Sequence, residues 1–321
     1  MNSTDNLEQI ASLERASQNL FISSGLTIFI IGTFGNLADI ILFIRLESLK
    51  TLASSMFLLA SFVGSQLVLI CGLLPRIIQG FEGYDFLGYS PFLCKARWYL
   101  RIVSATFSLT CVCFASIDRY LLSCANIRHQ RFITLKRARW ALIGAAIFWF
   151  IILSPYAVFY TTASKSCLIV NIGFAKFVSY FDLFYYSILP FSVLSIFSGL
   201  TWHNLGKQQA IYVRGGSRLY DQITRMIIAQ IIVLVFTSFP DTIFQLYTVS
   251  TSTASIDSLL YAQENFASNV CLIVGDLTYA LSFYVYWIAS PIFRQNIKAM
   301  FLIRQQISPP AIIQLKRILP I

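Results

Sequence analysis

The sequence has few charged residues and few histidines. Asp, Glu, Lys and Arg together make up 12% of the 321 residues, whereas soluble domains average about 25%. The histidines are His129 and His203 alone, so a metal site is not predicted. The chain also lacks a glycine-rich phosphate loop and a recognisable pairing of a nucleophile with a base. These absences argue against an enzyme, and we predict no catalytic residue, no metal and no cofactor.

What the sequence has in abundance is long apolar runs. Hydrophobic residues account for 57% of the chain, and the mean hydropathy is +0.69. Runs of about 20 apolar residues can cross a bilayer as helices, and they do not alternate as the strands of a membrane barrel do. We therefore predict an all-α membrane protein with a seven-helix bundle over residues 21–290. The seven segments lie near 21–44, 51–75, 98–124, 141–161, 177–201, 226–249 and 266–290.

The net charge of +10 is distributed unevenly across the predicted membrane. Basic loops stay cytoplasmic, so the pattern predicts an extracellular amino-terminal tail, residues 1–20, and a cytoplasmic carboxyl end in the plasma membrane. We expect the basic residues to contact lipid headgroups, and we predict no nucleic-acid partner. The basic residues on the cytoplasmic side are Arg45, Lys50, Arg128, Arg131, Lys136, Arg137, Arg139, Lys207, Arg214, Arg218, Arg225, Arg294, Lys298, Arg304, Lys316 and Arg317.

Both ends of the chain carry short recognisable patterns. Residues 1–20 are polar and show no signal-peptide pattern, and Asn2 begins a tripeptide that fits the glycosylation acceptor pattern. Residues 291–321 are predicted to start with an amphipathic eighth helix on the inner membrane surface, because basic and apolar residues interleave there. The apolar residues of that helix are Ile292, Phe293, Ile297, Met300 and Phe301.

Two of the seven cysteines are predicted to lie outside the lipid on the extracellular side. These are Cys94, at the start of segment 3, and Cys167, in the loop after segment 4. Disulfides persist in the extracellular environment, so we expect this pair to be bonded.

Polar and proline residues interrupt the apolar segments at a few positions. Asn36 and Asp39 are three residues apart and lie on the same face of segment 1. Polar groups at this depth normally face the bundle interior, so we predict a structural hydrogen bond between helices there. Pro190 in segment 5 and Pro240 in segment 6 predict kinks, which spanning helices tolerate.

Segment 3 ends with Asp118-Arg119-Tyr120, Gly35 precedes Asn36 in segment 1, and Tyr286 lies in segment 7. Together with Cys94, Cys167 and the two prolines, these residues resemble the rhodopsin-like (class A) G-protein-coupled receptors. The resemblance extends from about residue 20 to residue 304, and Cys94 and Arg119 have the separation of 25 residues that the family shows. Tyr286 likewise stands seven residues before Phe293, as at the family's junction of helices 7 and 8. The residues that carry the resemblance are Gly35, Asn36, Cys94, Asp118, Arg119, Tyr120, Cys167, Pro190, Pro240 and Tyr286.

The chain departs from the family pattern in three helices. Segment 2 has no aspartate where the family has one, and Asp39 is the candidate substitute. Thr237-Ser238-Phe239-Pro240 replaces Cys-Trp-x-Pro in segment 6. Segment 7 keeps only Tyr286 of Asn-Pro-x-x-Tyr. We therefore expect a divergent member of the family, such as an invertebrate peptide-receptor-like or chemosensory protein.

The resemblance implies a receptor that binds an extracellular ligand, favoured to be a peptide or another charged small molecule. Ligand binding then activates a heterotrimeric G protein by a rearrangement of helix 6. Asp118 restrains Arg119 at rest and releases it on activation, and Tyr120 and Tyr286 belong to the same switch. The alternative is a seven-span channel or transporter without G-protein coupling, but matched halves typical of transporters do not occur in the sequence.

Helical spacing locates a candidate ligand site. Arg101 lies 18 residues before Arg119, which is five turns or about 27 Å, so it faces the same interior nearer the outside. The resemblance places Asp182, Asp241 and Asp276 around that cavity. No lysine occurs in segment 7, which disfavours a photopigment. Arg101 stands where amine receptors carry an aspartate, which disfavours a monoamine ligand.

Two hypotheses remain open for these charges. Arg101 and Asp276 pair with each other, since buried charges are normally neutralised by a partner; Asp182 and Asp241 are then left for a basic group of a peptide. Alternatively, Arg101 binds the carboxylate of a small acid or of a peptide terminus.

Overall fold

The computed structural model describes residues 3–45, 52–124, 134–163, 166–209, 218–251 and 258–291, together with 293–295, 297 and 298. Within these ranges six helices are long and apolar enough to cross a membrane, and two further helices that meet at 54° form one bent span. The predicted seven-helix fold is confirmed. Spans 1 to 7 are Asn6–Arg45, Ala53–Glu82, Pro91–Ser123, Leu135–Phe159, Ile172–Asn204, Arg225–Thr248, and Ser258–Ala280 with Ser282–Ala289.

Several spans are built from more than one regular helix. Span 1 begins as helix Ser3–Leu20, passes through a π-helical turn and continues as Leu26–Arg45. Spans 2 and 5 contain π-helical turns as well, whereas span 6 belongs to one long helix. The remaining bounds are Ala53–Val68, π turn Leu69–Leu73 and Leu74–Glu82; Leu135–Ile152 and Ser154–Phe159; Ile172–Asp182, π turn Leu183–Ile188 and Leu189–Gln209; and Arg218–Thr251.

Span 3 is a single uninterrupted helix, and local sequence explains where it begins. The Ser90 hydroxyl accepts a hydrogen bond from the backbone N–H of Leu93 at 3.4 Å, which caps the helix start. Pro91 occupies the first helical position, where its missing N–H costs nothing. In the most apolar 18-residue stretch of span 3, 67% is buried, compared with 17% to 22% in the corresponding stretches of spans 4, 5 and 6. Span 3 is therefore the central element of the bundle.

The outer faces of the bundle are apolar rather than polar. Phe236 and Ile288 are each 75% exposed, and Ile151 is 65% exposed. In contrast, Asp39, Asp118 and many serines are buried. This distribution suits a chain surrounded by lipid, because hydrocarbon cannot satisfy polar groups on the outer surface. The chain is thus a multi-pass membrane protein.

The prolines and the bends do not coincide throughout. Pro190 follows the π-helical turn of span 5, where the ladder of backbone hydrogen bonds is already irregular, and Pro240 lies inside the helix of span 6. Span 7 bends at Leu281, although no proline occurs there. Sequence alone therefore did not predict this bend.

A short hairpin covers the outer end of span 3. Strand β1, Tyr160–Ala163, pairs antiparallel with β2, Ser166–Ile169. The predicted pairing of Cys94 with Cys167 is present as a disulfide, which joins positions 73 residues apart. It attaches the hairpin to the first turn of span 3.

The two predicted flanking regions are described only in part. Residues 3–20 are helical, a feature that their polar composition did not predict, and Asn2 lies outside the described residues. In the predicted eighth helix, Phe293 and Ile297 are buried and Lys298 is exposed, which agrees with an amphipathic segment. The other residues of its predicted apolar face, Ile292, Met300 and Phe301, lie outside the described residues.

We predict that Cys94→Ser destabilises the outer end of the bundle. Loss of a disulfide that closes a long loop costs about 2–5 kcal/mol. Thermal unfolding of the detergent-purified protein should show a lower Tm than the wild type, and the amount at the cell surface should fall. Cys71→Ser is the matched control, since Cys71 is a free cysteine, and an equal effect of both changes would contradict the prediction.

Candidate functional site

Two adjoining cavities occupy the outer half of the bundle. The larger, named the outer vestibule, has a volume of about 870 Å³ and is enclosed by the amino-terminal helix, spans 2, 3 and 7, and the hairpin. The smaller, named the inner pocket, has a volume of about 90 Å³ and lies between spans 3, 5, 6 and 7. Charged residues of the vestibule are Glu14, Arg76, Asp85 and Arg97. Those of the inner pocket are Arg101, Asp182, Asp241 and Asp276.

The inner pocket brings together the four residues predicted from the sequence. Arg101 Nη2 lies 3.3 Å from Asp276 Oδ1, and the two side chains are 15% and 2% exposed. Spans 3 and 7 are thereby joined by an ion pair. Of the two hypotheses, the observed geometry corresponds to the pairing of Arg101 with Asp276. That any of the four residues binds a ligand stays a prediction.

Gly72 in span 2 makes room for the arginine of this pair. A Cβ atom at position 72 would lie 2.5 Å from Arg101 Nε and 2.7 Å from its Cδ. A side chain at position 72 would displace the Arg101 side chain, so the glycine allows this side chain to approach the backbone of span 2 closely. Gly72 belongs to the π-helical turn Leu69–Leu73, which brings this part of the span 2 backbone against span 3.

The other two acids of the inner pocket come from spans 5 and 6. Asp182 immediately precedes the π-helical turn of span 5, and its Oδ1 is buried without a hydrogen-bond partner among the described residues. Asp241 follows Pro240 on span 6 and lines the same pocket. Ser238, which stands where the family has a tryptophan, also lines the pocket. The small side chain leaves space there that an aromatic ring would fill.

The vestibule contains functional candidates that sequence reasoning missed. Arg76 and Arg97 were counted only as basic residues of the outer side, and Trp98 was not singled out. One signal was available, since Arg97 stands four residues before Arg101 and side chains at this spacing share a helix face. Arg76 gave no such signal, because it lies beyond the apolar part of segment 2.

At the inner end of span 3 a second ion pair is buried. Arg119 Nη2 lies 3.0 Å from Asp118 Oδ2, and each side chain is 3% exposed. Arg119 also donates a hydrogen bond to the hydroxyl of Ser54 on span 2, a partner that the sequence did not reveal. The Tyr120 ring lies 5.4 Å from the ring of Phe197 on span 5. These contacts hold the inner ends of spans 2, 3 and 5 together.

Tyr286 is buried at the inner end of span 7. Its ring centre lies 5.9 Å from that of Phe62 and 6.0 Å from that of Phe293. The seven-residue spacing between Tyr286 and Phe293 thus corresponds to a direct ring contact.

The polar residues of span 1 behave differently from each other. Asn36 Nδ2 donates to Tyr279 O at 3.1 Å and to Gln66 Oε1 at 3.4 Å, so it links spans 1, 2 and 7 as predicted. Asp39 is fully buried, yet neither carboxylate oxygen has a hydrogen-bond partner among the described residues. The predicted hydrogen bond between helices is therefore made by Asn36 and not by Asp39.

Hydroxyl groups connect spans 2 and 3 where the expected aspartate is missing. Ser108 Oγ lies 2.9 Å from Ser61 Oγ and 2.9 Å from Ser65 Oγ. The contact is neutral and buried. Within the described part of the chain, no group of three His, Cys, Asp or Glu side chains could hold a metal ion.

We predict that removing one partner of the ion pair in the inner pocket destabilises the protein more than removing both partners. Arg101→Ala and Asp276→Ala should each destabilise the protein by about 3–5 kcal/mol, because each leaves a buried charge without its partner. The double variant should recover most of the lost Tm. Asp241→Ala serves as the control, since Asp241 lines the same pocket outside this pair. Additive losses in the double variant would contradict the pairing.

Comparison with known proteins agrees with this architecture. Residues 35–286 match the family described as 7 transmembrane receptor (rhodopsin family). The chain is 30% identical to the Neuromedin U receptor homolog nmur-2 of Caenorhabditis elegans over 131 residues, 41% of this chain and 32% of that protein. It is 25% identical to the thyrotropin-releasing hormone receptor of Gallus gallus over 184 residues, 53% of this chain and 45% of that protein. Each matched stretch thus covers less than half of the relative. Since the family match covers more than three quarters of the chain, this protein belongs to the rhodopsin family of seven-transmembrane receptors.

Proposed function

We propose that this protein is a receptor that binds an extracellular peptide and activates a heterotrimeric G protein. The observation that carries the proposal is that span 3 has buried charged residues at both of its ends. Its outer half lines two charged cavities, and its inner end holds the buried pair of Asp118 and Arg119. A ligand site and a signalling site are thereby connected by one rigid helix.

The size and charge of the cavities support a peptide ligand. The outer vestibule and inner pocket together form a deep, partly polar space, larger than a single small cation needs. The matched relatives are neuropeptide-type receptors, for neuromedin U and thyrotropin-releasing hormone. Because Arg101 is engaged by Asp276, Asp182 and Asp241 give the inner pocket a formal negative charge. We infer that a Lys or Arg side chain, or an amino group, of the peptide enters this pocket.

Activation is a shift between two arrangements of span 6. Thr237 hydrogen-bonds to Thr278 of span 7, and Thr242 hydrogen-bonds to Ser187 of span 5, with Pro240 between the two contacts. A ligand that binds better when these contacts are broken favours the arrangement in which span 6 moves outward. Hydroxyl contacts thus take the place of the missing aromatic residue of segment 6.

The inner pair provides the resting restraint. Asp118 and Ser54 both hold Arg119 inside the bundle. Outward movement of span 6 opens a crevice into which Arg119 turns to contact the G protein. The switch then also involves Tyr120 and Tyr286, whose rings pack against spans 5 and 2.

The orientation follows from the distribution of basic residues. We propose that the amino end and the vestibule are extracellular and that the Asp118–Arg119 end faces the cytoplasm, in the plasma membrane. The loops that are rich in Lys and Arg then contact the lipid headgroups on the cytoplasmic side. Asn2 would lie on the side where glycosylation occurs.

The coupling role is tested by variants of the inner pair. Peptides are applied to cells that express the receptor with promiscuous G proteins, and calcium is recorded. Arg119→Ala should abolish the response, whereas Asp118→Asn should raise basal signalling by about tenfold, because one charge-assisted hydrogen bond of the resting state is lost. Glu8→Gln, an exposed change of the same chemistry, should leave both unchanged. Full signalling by Arg119→Ala would contradict the proposal.

A labelled antibody tests the orientation on intact cells. An epitope before the amino-terminal helix should be accessible without permeabilisation, and an epitope after Pro291 only after permeabilisation. An inaccessible amino-terminal epitope would instead favour a seven-span channel with the opposite orientation. Nothing in the family match favours that alternative.

A further inference from the structure

Three arginines surround one indole ring in the wall of the outer vestibule. The guanidinium carbons of Arg76, Arg97 and Arg101 lie 5.6, 5.3 and 5.7 Å from the ring centre of Trp98. Attraction between a cation and an aromatic face stabilises such contacts, but it leaves the charge itself in place. The cluster therefore places three positive charges around a single aromatic ring.

Among the described residues, an acidic side chain forms an ion pair with only one of these arginines. Asp276 pairs with Arg101. Asp85 accepts hydrogen bonds from the backbone N–H groups of Leu87 and Cys167, each at 3.1 Å. Among the described residues, neither Arg76 nor Arg97 forms an ion pair.

The hydrogen bonds that Arg76 and Arg97 do make are to neutral acceptors. Arg76 Nη1 donates to Asn269 Oδ1 at 3.3 Å, and Arg97 Nη2 donates to Gly72 O at 3.4 Å. Arg97 is only 8% exposed. The Nε atoms of both arginines and the Nε1 atom of Trp98 are buried without a hydrogen-bond partner among the described residues.

This arrangement leaves two guanidinium groups without an ion pair, and three N–H donors without a hydrogen-bond partner among the described residues, in the wall of the cavity. A buried guanidinium without a counterion is costly, since neither lipid nor an apolar wall replaces its hydration. Guanidinium groups bind carboxylates through two parallel hydrogen bonds, and an indole N–H adds a further donor. Arg76, Arg97 and Trp98 all line the vestibule, so a carboxylate within the cavity lies beside these residues.

We propose that the outer vestibule binds a carboxylate of the ligand between Arg76 and Arg97, over Trp98. The inference rests on the proposed function and refines it, because the inner pocket then takes a basic group and the vestibule an acidic one. Arg97 lies one helical turn, about 6 Å, outside Arg101. A single peptide segment can therefore span both sites. The carboxylate belongs either to the peptide terminus or to an Asp or Glu side chain.

The first test measures carboxylate binding without any requirement for signalling. The Tm of the purified full-length receptor is recorded with N-acetylglycine and with N-acetylglycinamide, at equal ionic strength. The acid should raise the Tm by about 2 °C at concentrations well above its Kd, and the amide should not. The rise should vanish in Arg76→Gln/Arg97→Gln and persist in Lys176→Gln, which removes an exposed charge outside the vestibule.

Equal shifts with acid and amide would overturn the inference, as would a rise retained in the double variant. If Arg97→Gln does not fold, Arg76→Gln and the comparison of acid with amide on the wild type decide the question. Arg97→Lys keeps the charge but loses the paired donors, so it should give a smaller rise than the wild type.

The second test identifies the source of the carboxylate. Synthetic peptides that activate the receptor are compared as free acids and amides, and with each Asp or Glu replaced by Asn or Gln. Neutralising the group that occupies the vestibule should raise the EC50 by about 10- to 100-fold in the wild type, with little effect in Arg97→Gln. Equal potency throughout would overturn the inference while leaving a peptide receptor intact. Absence of any peptide response would instead contradict the proposed function. The thermal measurement with N-acetylglycine does not depend on signalling, so its result would still decide whether the vestibule binds a carboxylate.

Discussion

Every polar group within a spanning helix has to find its partner inside the protein, because hydrocarbon offers none. In this chain most such partners converge on span 3. Arg101 contacts Asp276 of span 7, Ser108 contacts two serines of span 2, and Arg119 contacts Ser54 at the inner end. Dispersion forces hold the remaining spans against it, but these polar contacts fix its rotation and depth. The two cavities and the buried pair of Asp118 and Arg119 owe their positions to that alignment.

The number of spans and the disulfide could be predicted from the sequence, and their physical basis is simple. Apolar runs report directly on contact with lipid, and Cys94 and Cys167 follow from which side each loop occupies. The common cavity was also predictable. Helical spacing from Arg119 placed Arg101 in the outer half of the bundle, and the family resemblance placed Asp182, Asp241 and Asp276 around it.

The remaining features depend on packing that a single sequence does not encode locally. An apolar run in the sequence ends where the hydrocarbon core of the membrane ends. A helix can continue beyond that point as long as its backbone N–H and C=O groups are hydrogen-bonded. Span 2 therefore extends to Glu82, and Arg76 lies on a helix instead of in a loop. The π-helical turns and the bend at Leu281 were likewise not predicted from a proline or another local signal in the sequence. Asp39, like Asn36, was expected to take part in a hydrogen bond between helices. Its position on the interior face predicts its burial but not whether a partner lies within hydrogen-bonding distance.

The amino-terminal helix has a practical meaning for work on this receptor. Its residues Glu14 and Ser17 line the outer vestibule, and Ser17 accepts a hydrogen bond from Asn269 of span 7. The opening of the outer vestibule is consequently shaped by the first helix of span 1, which precedes the apolar part of that span. A fluorescent protein or a crystallisation partner joined to this helix would sit at the mouth of the site. Reporters for pharmacology are therefore better attached at the opposite face of the bundle.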